Sequence, residues 1–129
     1  MKMKTLKILF CFLIVPFFGS AQLQLNEILA SNNSNQMDEF FEFDDWIEIY
    51  NPGGIINLAG YYLSDDPLLL TKHQIPATDP GATIMLPGSF KAVFADNDNL
   101  TQGALHLNFT LSSNGEHVFL TAPDGVTII

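Results

Sequence analysis

The residues best suited to chemistry lie in one short acidic segment. Over eight residues it carries five carboxylates: Asp38, Glu39, Glu42, Asp44 and Asp45. Crowded carboxylates repel one another and Ca²⁺ prefers oxygen ligands, so these five are candidate calcium ligands. The alternative is a solvated loop whose charge keeps the protein soluble, with its Phe side chains covering one end of the domain. Because the segment lacks Gly and the spacing of an EF-hand, we favour the solvated loop.

Two other polar runs offer oxygen ligands. Residues 96–99, with the sequence DNDN, imitate the first positions of a calcium loop. Leu100 supplies no side-chain oxygen and no Glu follows at the closing position, so the run is interpreted as a polar hairpin loop. Asp65, Asp66 and Pro67 are interpreted first as a turn.

Nothing in the sequence predicts catalysis. The three histidines, His73, His106 and His117, have no chelating spacing, so we expect no zinc site. The chain contains no Gly-x-Ser-x-Gly motif and no P-loop. We therefore expect a protein that is not an enzyme and that needs no cofactor, calcium being the one ion that the acidic segment suggests.

Four aromatic residues are candidates for a partner-binding surface: Trp46, Tyr50, Tyr61 and Tyr62. Flat rings stack on sugars and anchor protein interfaces. The alternative for Trp46, the only Trp of the chain, is a place in the core, and we favour it. For Tyr61 and Tyr62 both interpretations stay open.

The elements that must position these residues are short strands. Apolar groups separated by turn residues recur about every ten residues, which predicts an all-β sandwich or barrel with little helix. Two hairpins are expected, one around Pro87 and Gly88 and one around Asn114 and Gly115. The expected strands are 23–30, 46–50, one or two within 55–63, 72–75, 83–86, 90–95, 105–111, 117–120 and 126–129.

The first 21 residues have the pattern of an export signal. Three lysines precede an apolar stretch at residues 8–18, and small residues at 19–21 predict cleavage before Gln22. The apolar stretch is too short to span a bilayer. We therefore expect a secreted or cell-surface protein without a transmembrane segment after cleavage.

Removal of the signal changes the charge and the cysteine count. The remaining 129 − 21 = 108 residues carry two lysines, no arginine and 14 acids, a formal charge of 2 − 14 = −12, and Cys11 is lost. So few cations exclude the phosphate contacts that nucleic acids and anionic lipids need. Disulfides, a thiol nucleophile and Cys-ligated zinc are excluded as well.

The order of several motifs resembles the lamin tail domain of exported bacterial proteins. The main motifs are LNEILASN at 25–32, DWIEIYNP at 45–52 and LAGYYLSD at 58–65. Shorter ones follow at 87–88, 95–96, 106–112, 115–116 and 124–125. The resemblance covers residues 22–129 and implies an immunoglobulin-like β-sandwich.

The resemblance also implies a role. Such domains are non-catalytic modules for binding, adhesion or spacing, which here implies an unknown protein or carbohydrate partner at the cell surface. The alternative is the N-terminal accessory domain of a larger exported enzyme or of a kinase-like spore-coat (CotH-type) protein. Relatives of this family continue for another strand or two, so we expect this chain to be a fragment whose domain is incomplete at its C-terminus.

Overall fold

A computed structural model describes residues 22–98 and 101–129, so the expected signal at 1–21 lies outside the described residues. Eight short strands and one four-residue helix make up the regular structure of the described part. In chain order they are β1 Gln24–Leu29, β2 Asp45–Tyr50, β3 Ile56–Asn57, β4 Tyr62–Ser64, β5 His73–Gln74, α1 Pro80–Thr83, β6 Ile84–Met85, β7 Phe90–Ala95 and β8 Phe119–Thr121. The all-β expectation is confirmed.

The strands form three small antiparallel sheets with the orders β1-β2-β7, β3-β6 and β5-β4-β8. β2 is the central strand of the first sheet, where Ile47 lies opposite Ile28 of β1 and Val93 of β7. Its alternating sequence directs Ile47 and Ile49 to one face, where both are fully buried. The period-2 pattern therefore sets which face of β2 joins the core.

One apolar cluster joins the sheets. It contains Ile47, Ile49 and Val93 from the first sheet, Met85 from β6, and Leu63 and Leu120 from the third sheet. Residues outside the strands complete it, including Leu58, Ile75, Leu107 and Phe109. Burial of these side chains is the main source of stability, at about 1.5–3 kcal/mol for each large aliphatic side chain.

The expected hairpin around Pro87 and Gly88 is wrong. β6 pairs with β3 and β7 pairs with β2, so the two strands that flank the turn belong to different sheets. The turn is bonded to the residue after β2, because the N–H of Gly88 donates to the carbonyl oxygen of Asn51 at 2.7 Å. This long-range bond redirects the chain from one sheet to the next.

The expected hairpin around Asn114 and Gly115 is also wrong, although Gly115 does lie in a turn with φ of +86°. Residues 105–111 make only isolated bridges to the end of β7, through His106 and Thr110, whereas β8 pairs with β4. Residues 105–111 pack into the core instead of pairing with β8, and Leu107 of this segment is fully buried.

The remaining expected strands differ in how closely they are matched: β7 spans its full expected range, β2 begins one residue earlier, and most of the others are shorter. Residues 55–63 contain two strands, β3 and β4, separated by Gly60 with φ of +91°. Residues 126–129 make a single bridge, between Ile128 and Thr121 of β8. Among the described residues, no helix has the length and apolar character needed to cross a membrane.

Candidate functional site

Acidic side chains are concentrated at one corner of the first sheet, where β2 begins and β7 ends. Asp45, the first residue of β2, pairs with Ala95, the last residue of β7. The loop before β2 and the loop after β7 therefore meet there. We call this region the acidic corner. It holds seven of the 14 acidic residues of the chain: Asp38, Glu39, Glu42, Asp44, Asp45, Asp96 and Asp98.

Asp38 organises the loop of the acidic corner. Its Oδ1 accepts hydrogen bonds from the backbone N–H groups of Phe40 and Glu42, both at 2.8 Å. The backbone N–H of Asp38 donates to the carbonyl oxygen of Glu42 at 3.0 Å, which closes the loop. Asp38 is only 7% exposed, and its second carboxylate oxygen, Oδ2, is buried without a hydrogen-bond partner.

Three of the five predicted calcium ligands converge. One carboxylate oxygen from each of Asp38, Glu42 and Asp44 lies within 4.8 Å of the other two. Asp44 also has a buried oxygen, Oδ2, without a hydrogen-bond partner. The side-chain amide of Gln102 donates to Oε2 of Glu42 at 2.8 Å and holds that carboxylate from the other side.

The crowding changes the acidity of Asp44. Burial and the negative charges of Asp96, Asp38, Glu42 and Asp98 raise the pKa of its carboxyl group from 3.8 to about 6. A carboxylate that has lost water and faces four other carboxylates is expensive to ionise. The same environment favours a cation beside it.

The other two predicted ligands point elsewhere. Oε1 of Glu39 lies 3.3 Å from Nε2 of His106. Oδ1 of Asp45 accepts from the backbone N–H of Asn32 at 2.9 Å, which fastens the end of β1 to the start of β2. Both carboxylates already have partners, whereas Asp38 and Asp44 each keep a free oxygen.

His106 is the residue of the acidic corner that the sequence did not reveal. It is fully buried, and its Nδ1 is hydrogen-bonded to Oδ2 of Asp96 while Nε2 faces Glu39. The ring stacks on Phe94, with the ring centroids 5.3 Å apart. Burial alone would lower the pKa of His106, but the hydrogen bonds and charges of Asp96 and Glu39 outweigh it and raise the pKa. Asp96 is thus an ion-pair partner and not simply a polar loop residue.

The remaining candidates do not join the acidic corner. His73 is buried, with its Nδ1 accepting from the backbone of Asn108, and burial lowers its pKa. His117 is exposed. Asp66 serves the expected turn, since its Oδ1 accepts from the N–H of Leu68 at 2.8 Å.

The four aromatic candidates are all buried or partly buried. Trp46 is buried as favoured, but it lies outside the main apolar cluster, opposite Phe94 of β7. Tyr61 packs against the core. The hydroxyl of Tyr62 accepts from the side chain of Gln74 at 2.8 Å, and Tyr50 stacks on Phe90 with centroids 4.7 Å apart.

The side chains of the acidic corner are mainly hydrogen-bond acceptors and candidate cation ligands. All seven carboxylates offer only oxygen lone pairs when ionised, and burial with the neighbouring negative charges raises the pKa of Asp44 to about 6. His106 has both ring nitrogens held by carboxylates, which favours the charged imidazolium, a form that cannot accept a further proton. The geometry is suited to binding a cation.

No protein-family model matches the chain, and neither does any curated protein or solved structure.

Proposed function

We propose that this chain is an exported, non-catalytic β-sandwich module of the lamin tail type that serves in binding, adhesion or spacing at the cell surface. The observation that carries the proposal is the use of the polar residues in the motifs that resemble this family. The buried polar side chains of the three main motifs are bonded to the backbone of neighbouring loops, so these residues encode the fold and leave little for chemistry; they are Asn32, Asn51 and Ser64.

Asn32 and Asp45 link the first two motifs. The side-chain amide of Asn32 donates to the carbonyl oxygens of Gln36 at 2.6 Å and Asp44 at 3.0 Å. The carboxylate of Asp45 accepts from the backbone N–H of Asn32. These bonds position the whole loop between β1 and β2.

Asn51 ends the second motif and is 2% exposed. Its amide nitrogen donates to the carbonyl oxygens of Gly54 at 2.7 Å and Leu86 at 3.0 Å, and its Oδ1 accepts from the N–H of Gly53 at 3.0 Å. Every one of these partners is a backbone group. Asn51 therefore holds together the turns at which the chain changes sheets.

Ser64 does the same in the third motif. Its hydroxyl accepts from the N–H of Asp66 at 2.9 Å and donates to the carbonyl oxygen of Leu69 at 2.8 Å. A buried hydroxyl engaged in this way is not available as a nucleophile. The single apolar cluster shared by the first and third sheets supports the sandwich arrangement.

The proposal is tested by expressing the complete chain in a bacterium and finding where the product is and where it begins. We expect an extracellular or surface-bound product whose intact mass corresponds to a start at Gln22. Purified residues 22–129 should unfold in one cooperative transition, which is monitored by the fluorescence of the buried Trp46. Retention inside the cell with residues 1–21 attached would contradict export.

The non-catalytic part of the proposal has a separate test. The purified domain is incubated with ester, glycoside and phosphate-ester substrates, alongside the variant Ser64→Ala and a folded Asp96→Asn variant. We expect no turnover by any of the three proteins. Turnover by the wild type that either variant abolishes while remaining folded would contradict the proposal.

A further inference from the structure

We propose that the acidic corner is a Ca²⁺ site in which Asp38, Glu42 and Asp44 bind one ion and fasten the loop before β2 to that strand. This goes beyond a binding or spacing role for the module, because it assigns a ligand to particular residues. It also reverses the preference for a solvated loop that the sequence alone suggested.

The spacing of the three carboxylates fits the ion. Ca²⁺ binds oxygen ligands at about 2.3–2.6 Å, so two ligands on opposite sides of an ion are about 5 Å apart. One oxygen from each of Asp38, Glu42 and Asp44 lies within 4.8 Å of the others. The three carboxylates are therefore close enough to share one ion.

The buried oxygens provide an independent observation. Asp38 is more than nine-tenths buried, and its Oδ2 has neither a hydrogen-bond donor nor water contact, since the atom is inaccessible. Oδ2 of Asp44 and Oε1 of Gln102 are in the same state. A desolvated, unpaired carboxylate oxygen is costly, and a cation is the partner that would satisfy it. Oδ2 of Asp38 and Oδ2 of Asp44 belong to two of the three converging carboxylates, so a cation bound there would satisfy both oxygens.

Within residues 22–98 and 101–129, no side-chain cation is among the charges that act on Asp44. The charges that act on this carboxylate are those of other acids. The two lysines of the described part lie elsewhere, since Lys72 pairs with Asp65 and Lys91 pairs in register with Ile49, away from the corner. His106 is held by Asp96 and Glu39.

The ligand type selects Ca²⁺ among the common divalent ions. The converging ligands are carboxylate oxygens, with no thiolate or imidazole nitrogen of the kind that Zn²⁺ prefers. Mg²⁺ requires near-ideal octahedral geometry at about 2.0–2.1 Å and retains its waters. Three carboxylates on an irregular loop suit the flexible coordination of Ca²⁺, with water filling the remaining positions.

The test is thermal unfolding of purified residues 22–129 after removal of metal ions. Melting is followed in EDTA, in about 5 mM CaCl₂, in MgCl₂ of equal concentration and in NaCl of equal ionic strength, since extracellular calcium sites have Kd values of about 10⁻⁴–10⁻³ M. We expect Ca²⁺ to raise the Tm by about 5–10 °C when its concentration is about ten times Kd. Isothermal titration should give one site per chain.

Two variants locate the site. Asp44→Asn and Glu42→Gln should each abolish most of the calcium shift, and either one suffices if the other fails to fold. Glu27→Gln, which removes the same charge from an exposed position on β1, should keep the full shift. Equal melting in EDTA and CaCl₂ would overturn the proposal. So would an equal response to Mg²⁺ or NaCl, or a shift that survives in both site variants, because each of these indicates diffuse screening of charge.

Discussion

Asp44 gives the sharpest prediction about stability, because its environment penalises its ionised form. In the absence of metal ions, we expect Asp44→Asn to stabilise the protein at pH 7.5. Asn occupies nearly the same volume and resembles the protonated carboxyl group, so it removes the charge that Asp38, Glu42, Asp96 and Asp98 repel. Most substitutions destabilise a protein, so this expectation is specific to the acidic corner.

The magnitude follows from the pKa. A carboxyl group at 3.8 in the unfolded chain and about 6 in the folded one costs about 3 kcal/mol of stability when it is fully ionised. The side chain is partly exposed, and screening by water and salt reduces this to about 1–2 kcal/mol. For a domain of this size the corresponding rise in Tm is about 5–10 °C.

The pH dependence has a definite sign. Because the pKa of Asp44 is raised in the folded state, its contribution to stability is fully present below pH 3.8 and is lost as pH rises through about 6. The advantage of Asp44→Asn is therefore greatest above pH 6 and falls by about two thirds between pH 7.5 and pH 4.5.

The assay is urea unfolding of wild type and variant in EDTA at a series of pH values, followed by Trp46 fluorescence. Glu27→Gln is the matched control, because it removes one charge from an exposed strand position and should change stability by less than about 0.5 kcal/mol at every pH. A loss of stability in Asp44→Asn at pH 7.5, or a gain that does not vary with pH, would refute the reasoning.

Two further predictions concern polar residues of the interior. His106→Asn leaves Asp96 and Glu39 without their partner and should cost about 2–4 kcal/mol of unfolding free energy. Since the pKa of His106 is raised, the stability that its pairing contributes is fully present below pH 6.5 and is lost as pH rises through the folded pKa. Urea unfolding should therefore give a larger cost of His106→Asn at pH 6 than at pH 9. An equal cost for the exposed-site control His117→Asn would contradict this prediction. Asn51→Ala should cost about 2–3 kcal/mol, because it removes a buried amide that donates to the backbone carbonyls of Gly54 and Leu86. Asn51→Asp retains only the acceptor, so thermal unfolding should show that it does not recover the stability of the wild type.

Local patterns predicted the strands better than their pairing. The apolar group at residues 46–50 was sufficient to locate β2, which begins one residue earlier in the structure, at Asp45. The same kind of pattern located β6 and β7 but joined them in a hairpin that does not exist. A turn motif predicts that the chain reverses direction, but it does not predict the sheet to which the next strand belongs. That assignment depends on contacts between residues far apart in sequence, such as the hydrogen bond from Gly88 to Asn51.

The candidate site shows the same division. The density of carboxylates between residues 38 and 45 was visible in the sequence, as was the preference of such a group for a hard cation. The sequence did not distinguish Glu39 and Asp45, which already have partners, from Asp38 and Asp44, which keep free oxygens. Side-chain direction in an irregular loop has no period from which it could be predicted.

The amino-acid sequence was enough to establish the all-β class, the position of β2 and the density of the acidic segment, because each depends on neighbouring residues. Only the tertiary structure decided that Asp96, Gln102 and His106 come to the same corner, since these residues arrive from the far end of β7 and the loop beyond it. In that corner Oδ2 of Asp38 and Oδ2 of Asp44 are buried, while Glu39 and Glu42 stay exposed. The proposed calcium site depends on this difference, because it requires carboxylate oxygens that water does not reach.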